Sequence, residues 1–186
     1  MITRRTLVGI ALLTAPVSAV WAQTSVSTDD LRPELNAMLP QHRLIGKTRL
    51  TVWGFQVYDA SLWAVPGFKP DSFSRYAFAL ELAYLRDFAS KDIAERSLAE
   101  MRRSSDISES QGKGWASELQ RLIPDVKKGD RVMGINRPAT GALLLVNGKA
   151  VGEIQDTEFA RLFFGIWLSP KTSEPKMRTG LLAGTN

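Results

Sequence analysis

Arg75-Tyr76-Ala77-Phe78-Ala79-Leu80-Glu81-Leu82-Ala83-Tyr84-Leu85 alternates with a period of two. Tyr76, Phe78, Leu80, Leu82 and Tyr84 point one way; Arg75, Ala77, Ala79, Glu81 and Ala83 point the other. Successive side chains of a strand leave opposite faces, so this is a strand with one bulky face and one mostly small face. It predicts a sheet packed on one side and closely approached on the other.

Upstream, Lys47 to Trp63 is a second β-rich stretch, with Arg49 at its head and Val57-Tyr58-Asp59-Ala60-Ser61-Leu62-Trp63 at its end. Two strand-like runs between His42 and Val65 break near Gly54, where a glycine permits a turn, a bulge or a close backbone approach. Val65-Pro66-Gly67-Phe68-Lys69-Pro70-Asp71 reads as a loop. Downstream, Ser90 is placed to cap a helix in which Ile93, Ala94, Ser97, Leu98 and Met101 recur at helical spacing. A second helix is expected from Gly114 to Leu122, with Pro124 as its stop. Lys128-Gly129-Asp130 is a turn, and strands follow at 131–136 and 142–146. Asn147-Gly148 signals a two-residue hairpin into a strand at 151–154. Asp156 or Thr157 caps a third helix with an apolar stripe of Phe159, Leu162, Phe163 and Ile166, ended by Ser169-Pro170. Strands and helices are segregated rather than alternating, which predicts an α+β fold with a mainly antiparallel sheet.

The composition removes several chemistries. The chain has 186 residues, 44% of them hydrophobic, which suits one domain with a full core. It has no cysteine, so disulfides, thiolate nucleophiles and Cys-ligated zinc are excluded. His42 is the only histidine; a Ser-His-Asp triad could use only that residue, and no multi-histidine metal site can form. Glycine-rich nucleotide motifs are absent, and Asn147-Gly148-Lys149 is a turn, not a phosphate loop. No cofactor or metal is expected.

The first residues read as an export signal over 1–22. Thr3-Arg4-Arg5 is the basic region, Leu7 to Ala15 the apolar region, and Ala22 the cleavage position, with Ala19 as the alternative. Thr3-Arg4-Arg5-Thr6-Leu7 also resembles a twin-arginine signal. The apolar run is too short to span a bilayer comfortably, so no stable membrane span is expected after cleavage. The expected location is periplasmic or otherwise exported. Residues 23–41 read as a leader and 42–186 as the domain. The formal charge is +5, but removing Arg4 and Arg5 leaves 22 basic against 19 acidic residues. No basic tract interleaved with aromatics remains, so no nucleic-acid partner is expected.

Arg49 is the leading site candidate, because a guanidinium can hold a carboxylate through two parallel hydrogen bonds. An exposed strand arginine, or one paired with a neighbouring acid, explains it equally simply. Tyr58 can donate its hydroxyl to the same anion; alternatively its ring is core and the hydroxyl lies at the rim. If the two lay on adjoining strands facing one cavity, they would form a site. His42 reads as a strand-edge or surface residue rather than a catalyst. Asp92, Glu95 and Glu100, interspersed with Lys91, Arg96, Arg102 and Arg103, read as a solvated helix face. Trp115, Phe163 and Trp167 read as core.

Taken in order, Gly46-Lys47-Thr48-Arg49, Val57 to Trp63, Tyr84-Leu85-Arg86, Gly129-Asp130 and Asn147-Gly148-Lys149 with Gly152-Glu153-Ile154 resemble the bacterial chalcone isomerase-like proteins. Phe159-Ala160, Gly165-Ile166-Trp167-Leu168 and Leu181-Leu182-Ala183-Gly184 continue the resemblance. It implies an open-faced β-sandwich, a large antiparallel sheet covered by a layer of helices, with a ligand cleft between them. Plant enzymes of this fold cyclise chalcones using an arginine, a threonine, a tyrosine, an asparagine and a second threonine. Arg49 matches that arginine. The strand threonine falls at Tyr58, the helix tyrosine near Ile93, the asparagine near Glu100 and the last threonine near Ile166. Loss of those donors removes groups that would stabilise a developing enolate. The fold also occurs in plastid fatty-acid-binding proteins, where an arginine and a tyrosine hold the carboxylate, and Arg49 with Tyr58 resembles that pairing. The resulting expectation is an exported, non-enzymatic binder of a small amphipathic acid such as a fatty acid, held by Arg49 and Tyr58. An isomerase or intramolecular lyase, and a structural or partner-binding periplasmic protein, are the competing readings.

Overall fold

The computed structural model describes residues 32–185. The expected signal peptide, its cleavage site and the start of the leader lie outside the described residues. Six strands, β1 (Arg43–Val52), β2 (Phe55–Ala64), β3 (Phe78–Tyr84), β4 (Arg131–Arg137), β5 (Gly141–Val146) and β6 (Lys149–Ile154), form one sheet in chain order. Every neighbouring pair is antiparallel. The helices are α1 (Leu35–Met38), α2 (Ser90–Arg102), α3 (Glu109–Leu122), α4 (Thr157–Leu168) and α5 (Pro175–Leu181). Both α2 and α3 sit within the connection from β3 to β4. The architecture is the α+β, open-faced sandwich that the sequence predicts.

The alternation of β3 separates two cores. Phe78, Leu80, Leu82 and Tyr84 join the larger one, packed against Met101, Trp115, Leu119, Phe159 and Phe164 of the helices. On the opposite face Ala79 lies in a smaller core with Trp63, Met133, Ile135, Leu35 and Leu39. Leu35 and Leu39 are essentially fully buried, so the expected leader supplies core residues from Leu35 onward. Small alanines on this face of β3 leave the room they occupy. Beside them Glu81, also buried, accepts from Arg32 Nη2 at 2.7 Å and from Arg131 Nη1 at 2.8 Å.

Several local expectations change. Ala89, not Ser90, precedes α2, and the Ser90 backbone N–H donates to Asp125 Oδ1 at 2.8 Å instead. Helix α3 starts at Glu109, upstream of the expected Gly114, and Ser108 Oγ accepts from the Gln111 N–H. Gly112 and Gly114 mask this first part of the helix in the sequence. At Gly112 a Cβ would lie 2.9 Å from Arg102 Nη2 and 3.2 Å from Leu98 Cδ2, the ends of side chains that would have to give way. The expected loop ends at Asp71, but 3-10 turns over Pro70–Arg75 bury Phe73, and β3 begins at Phe78 rather than at Arg75. Helix α5 was not expected; Pro175 opens it, and it packs so closely on β1 that a Cβ on Gly46 would collide with the Gly180 carbonyl. At α4 the alternatives resolve to Asp156, whose Oδ1 accepts from the N–H groups of Glu158 and Phe159 at 2.8 and 2.9 Å.

Candidate functional site: an apolar cavity between sheet and helices

A cavity of about 720 Å³ lies between the sheet and the helices. Leu50, Tyr58, Leu82, Tyr84 and Val132 form its sheet side. Ile93, Ser97 and Glu100 come from α2, and Phe163, Ile166 and Trp167 from α4. Val52, Trp53, Phe55 and Arg86 lie at the exposed end. The α2 contribution follows from helical geometry, since residues three and four apart share a face.

The strand register decides which residues of the Lys47–Trp63 stretch reach this cavity. Val52 pairs with Phe55 and Thr51 with Gln56, but then the register shifts, so that Leu50 pairs with Tyr58 and Arg49 with Asp59. Without that bulge, continued pairing would set Arg49 directly opposite Tyr58, on one face. With it, Tyr58 faces the cavity with Leu50 and Tyr84. Arg49 shares the opposite face with Asp59, Ala83 and Arg131. The expected meeting of Arg49 and Tyr58 around one anion is therefore corrected: Arg49 is absent from the cavity lining. Its Nη2 donates to Asp59 Oδ2 at 2.7 Å and its Nη1 to Gln56 Oε1 at 2.9 Å. The hydrogen bond and charge of Asp59 push the Arg49 pKa up.

Tyr58 is placed to donate. Its hydroxyl accepts from Trp167 Nε1 at 3.0 Å, and the Tyr58 proton has no acceptor among the described residues. Burial pushes its pKa up to about 12, with the Trp167 hydrogen bond opposing and the Glu174 charge adding. The group stays neutral and protonated at physiological pH. Tyr84 meets it edge-on, with ring centroids 6.0 Å apart. Burial raises the Tyr84 pKa as well, and its hydroxyl has no hydrogen-bond partner among the described residues.

The charged part of the lining is mixed. Glu100 is nearly buried and is held by Arg96 Nη2 at 2.7 Å, with Arg103 Nε at 3.5 Å. The expectation of a solvated helix face holds for Lys91, Glu95 and Arg96 but not for Glu100; Ser97, expected with Ile93 and Met101 at helical spacing, is buried. Arg86 lies over the Phe55 ring, 4.9 Å from its centroid, and forms no ion pair among the described residues. Sequence reasoning missed Arg86, Ser97 and Glu100 as site residues. Their signals were available in part: Arg86 continues the alternation of β3 by two residues beyond Tyr84, and Ser97 and Glu100 share a face with Ile93. Phe163 and Trp167, read as core, are both core and cavity wall. His42 is not part of the lining; its Nδ1 lies 2.8 Å from the Leu39 carbonyl after α1. No cluster of metal-ligating side chains occurs among the described residues, and no helix among them is long and apolar enough to cross a membrane.

An antiparallel sheet covered by helices, with a ligand-sized cleft between them, is the arrangement of the described residues. The chain belongs to the chalcone isomerase-like family, whose sequence model matches residues 43–183. An uncharacterized protein of Haemophilus influenzae is 27% identical over 142 residues, covering 76% of this chain and 68% of that protein. The crystal structure of an Arabidopsis thaliana fatty-acid binding protein superimposes with a TM-score of 0.61 at 11% identity, covering 77% of this chain and 87% of that one. That likeness is one of fold. Of the positions that the family resemblance singles out, Tyr58, Ile93, Glu100 and Ile166 all line the cavity, and Arg49 does not.

Proposed function

We propose that the protein is an exported, non-enzymatic binder of a small amphipathic carboxylate such as a fatty acid, carried in the cavity between sheet and helices. The observation that carries this reading is the cavity itself: about 720 Å³, walled by aliphatic and aromatic side chains together with Ser97, Ser173, Arg86, Arg96 and the carboxylates of Asp87, Asp92, Glu100 and Glu174. The apolar body of the ligand packs against Leu50, Leu82, Ile93, Val132, Phe163 and Ile166. Its carboxylate meets Arg86 at the rim, where a cation without an acid partner replaces the expected Arg49. Tyr58 and Tyr84 offer neutral hydroxyl donors. The fatty-acid binding protein of like fold supports the choice of ligand class, and the signal-like pattern read in residues 1–22 of the sequence supports export.

Calorimetric titration with long-chain fatty acids tests the site. Arg86→Gln is expected to weaken binding on the order of tenfold, the worth of a charge-assisted hydrogen bond. Arg49→Gln leaves it unchanged, and Ile166→Trp, which fills the cavity, abolishes it. Equal affinity in all three variants would sink the reading. Fractionation of the native host, with the protein found in the cytoplasm, would remove the export part alone.

One observation favours the isomerase reading: Tyr58, Ile93, Glu100 and Ile166, though not Arg49, among the family's catalytic positions line the same cavity. Ile93 and Ile166 bring no donor there, so stabilisation of an enolate oxygen would fall on Tyr58. That reading requires turnover of an enone by the purified protein and its collapse in Tyr58→Phe.

A further inference from the structure

The turn joining β1 to β2 has a backbone that does not suit its residues. Trp53 and Gly54 have φ of 48° and 82°. The turn joining β5 to β6 has almost the same pair of angles, 50° and 79°, at Asn147 and Gly148. Asn-Gly is the favoured pair for a two-residue hairpin, since asparagine tolerates the left-handed region. A tryptophan there is sterically disfavoured. Its ring gains nothing in return from the core: Trp53 is 95% exposed, followed by Phe55 at 59% and preceded by Val52 at 38%. The tip is thus both strained and apolar, a combination that points to function.

Two further facts say what covers it. The same three residues form the rim of the cavity. A cation, Arg86, is stacked on Phe55, in a chain that keeps 22 basic against 19 acidic residues once Arg4 and Arg5 are removed. We propose that the β1–β2 tip docks the protein on a bilayer containing anionic phospholipid. Trp53 and Phe55 enter the headgroup region, and the cavity rim faces the lipid. A tryptophan ring suits that boundary because one edge is apolar and its N–H remains wet. Arg86 meets anionic headgroups. A second copy of the chain is the weaker occupant, since a four-residue convex tip falls well short of the roughly 800 Å² per partner of a stable interface. The contact rests on the tip alone; the cavity reading only supplies what is exchanged there.

The test is co-sedimentation of the purified protein with phosphatidylcholine–phosphatidylglycerol vesicles carrying no added fatty acid, so that this result and the ligand titration are read separately. The parent is expected to bind, with tryptophan emission quenched by lipids brominated near the headgroup. Trp53→Asn with Phe55→Ser is expected to bind at least about tenfold more weakly, from the apolar area withheld from the bilayer. That variant keeps its fold, because asparagine is the better turn residue and both side chains are exposed. The proposal is overturned if the parent does not bind vesicles, or if the double variant binds equally well. It is also overturned if the parent is a dimer in solution that the double variant dissolves.

Discussion

At the scale of single residues, one bulge places Arg49 and Tyr58 on opposite faces of the sheet. Tyr58 was legible as a residue of the cleft, because a tyrosine in a β-rich stretch needs only the right parity to face it. Arg49 was not, because its parity depends on an extra residue inserted in β2 after Gln56, which no local pattern announces. Asp59, already visible beside Tyr58, then becomes its partner. The Tyr58 hydroxyl also makes a pH prediction. Its pKa is raised in the folded protein from 10.0 to about 12, so its contribution to stability is fully present below pH 10 and is lost as pH rises through the folded value. Unfolding free energy should fall between about pH 10 and 12, by on the order of 2 kcal/mol from this group. Tyr84 acts in the same direction. Urea titrations across that range should show a shallower fall in Tyr58→Phe; an identical slope would contradict the assignment.

At the scale of elements, sequence reading succeeded where a local rule decided the outcome. The alternation in β3, the Asn147-Gly148 hairpin and the stop at Ser169-Pro170 are of this kind. It failed where a partner distant in sequence decided. Asp125 rather than Ser90 satisfies the start of α2, and α5 exists because β1 presents Gly46 to it. Helix α4 illustrates both. Asp156 caps it locally, and its Oδ2 also accepts from Trp115 Nε1 at 3.0 Å, tying α3 to the same carboxylate. Asp156→Ala should therefore cost about 2 kcal/mol, the cap together with a stranded indole donor. Chemical denaturation measures it, and a loss under ~0.5 kcal/mol would show that the cap is dispensable. The β1–β2 hairpin predicts the opposite sign. Trp53→Asn should raise stability by about 1 kcal/mol, the relief of a left-handed bulky residue, and an unchanged or lowered melting temperature would contradict the strain.

At the scale of the whole molecule, the sheet is covered on two faces by different means. The helices cover one face with aromatic bulk. The segment from Arg32 covers the other with two leucines and the Glu81 cluster, in which Glu81 is only 3% exposed at its side chain. Composition predicted one core, and the small face of β3 hinted at the second, but the buried carboxylate could not be foreseen without Arg32 and Arg131 converging from distant places. Glu81→Ala should cost about 3 kcal/mol in urea unfolding, because it leaves two arginines facing a buried gap. A cost near zero would mean that solvent reaches the cluster. The placement of α2 and α3 between neighbouring strands has a consequence of a different kind. Phe88 and Val126 exchange backbone hydrogen bonds of 3.0 and 2.9 Å across the base of that excursion, while β3 and β4 pair beneath it without interruption. One wall of the cavity is therefore a detachable loop of chain rather than a member of the ladder. Amides of α2 can exchange with solvent through an opening that leaves the strands protected. Selection can likewise rewrite this wall for a new ligand and keep the sheet as inherited.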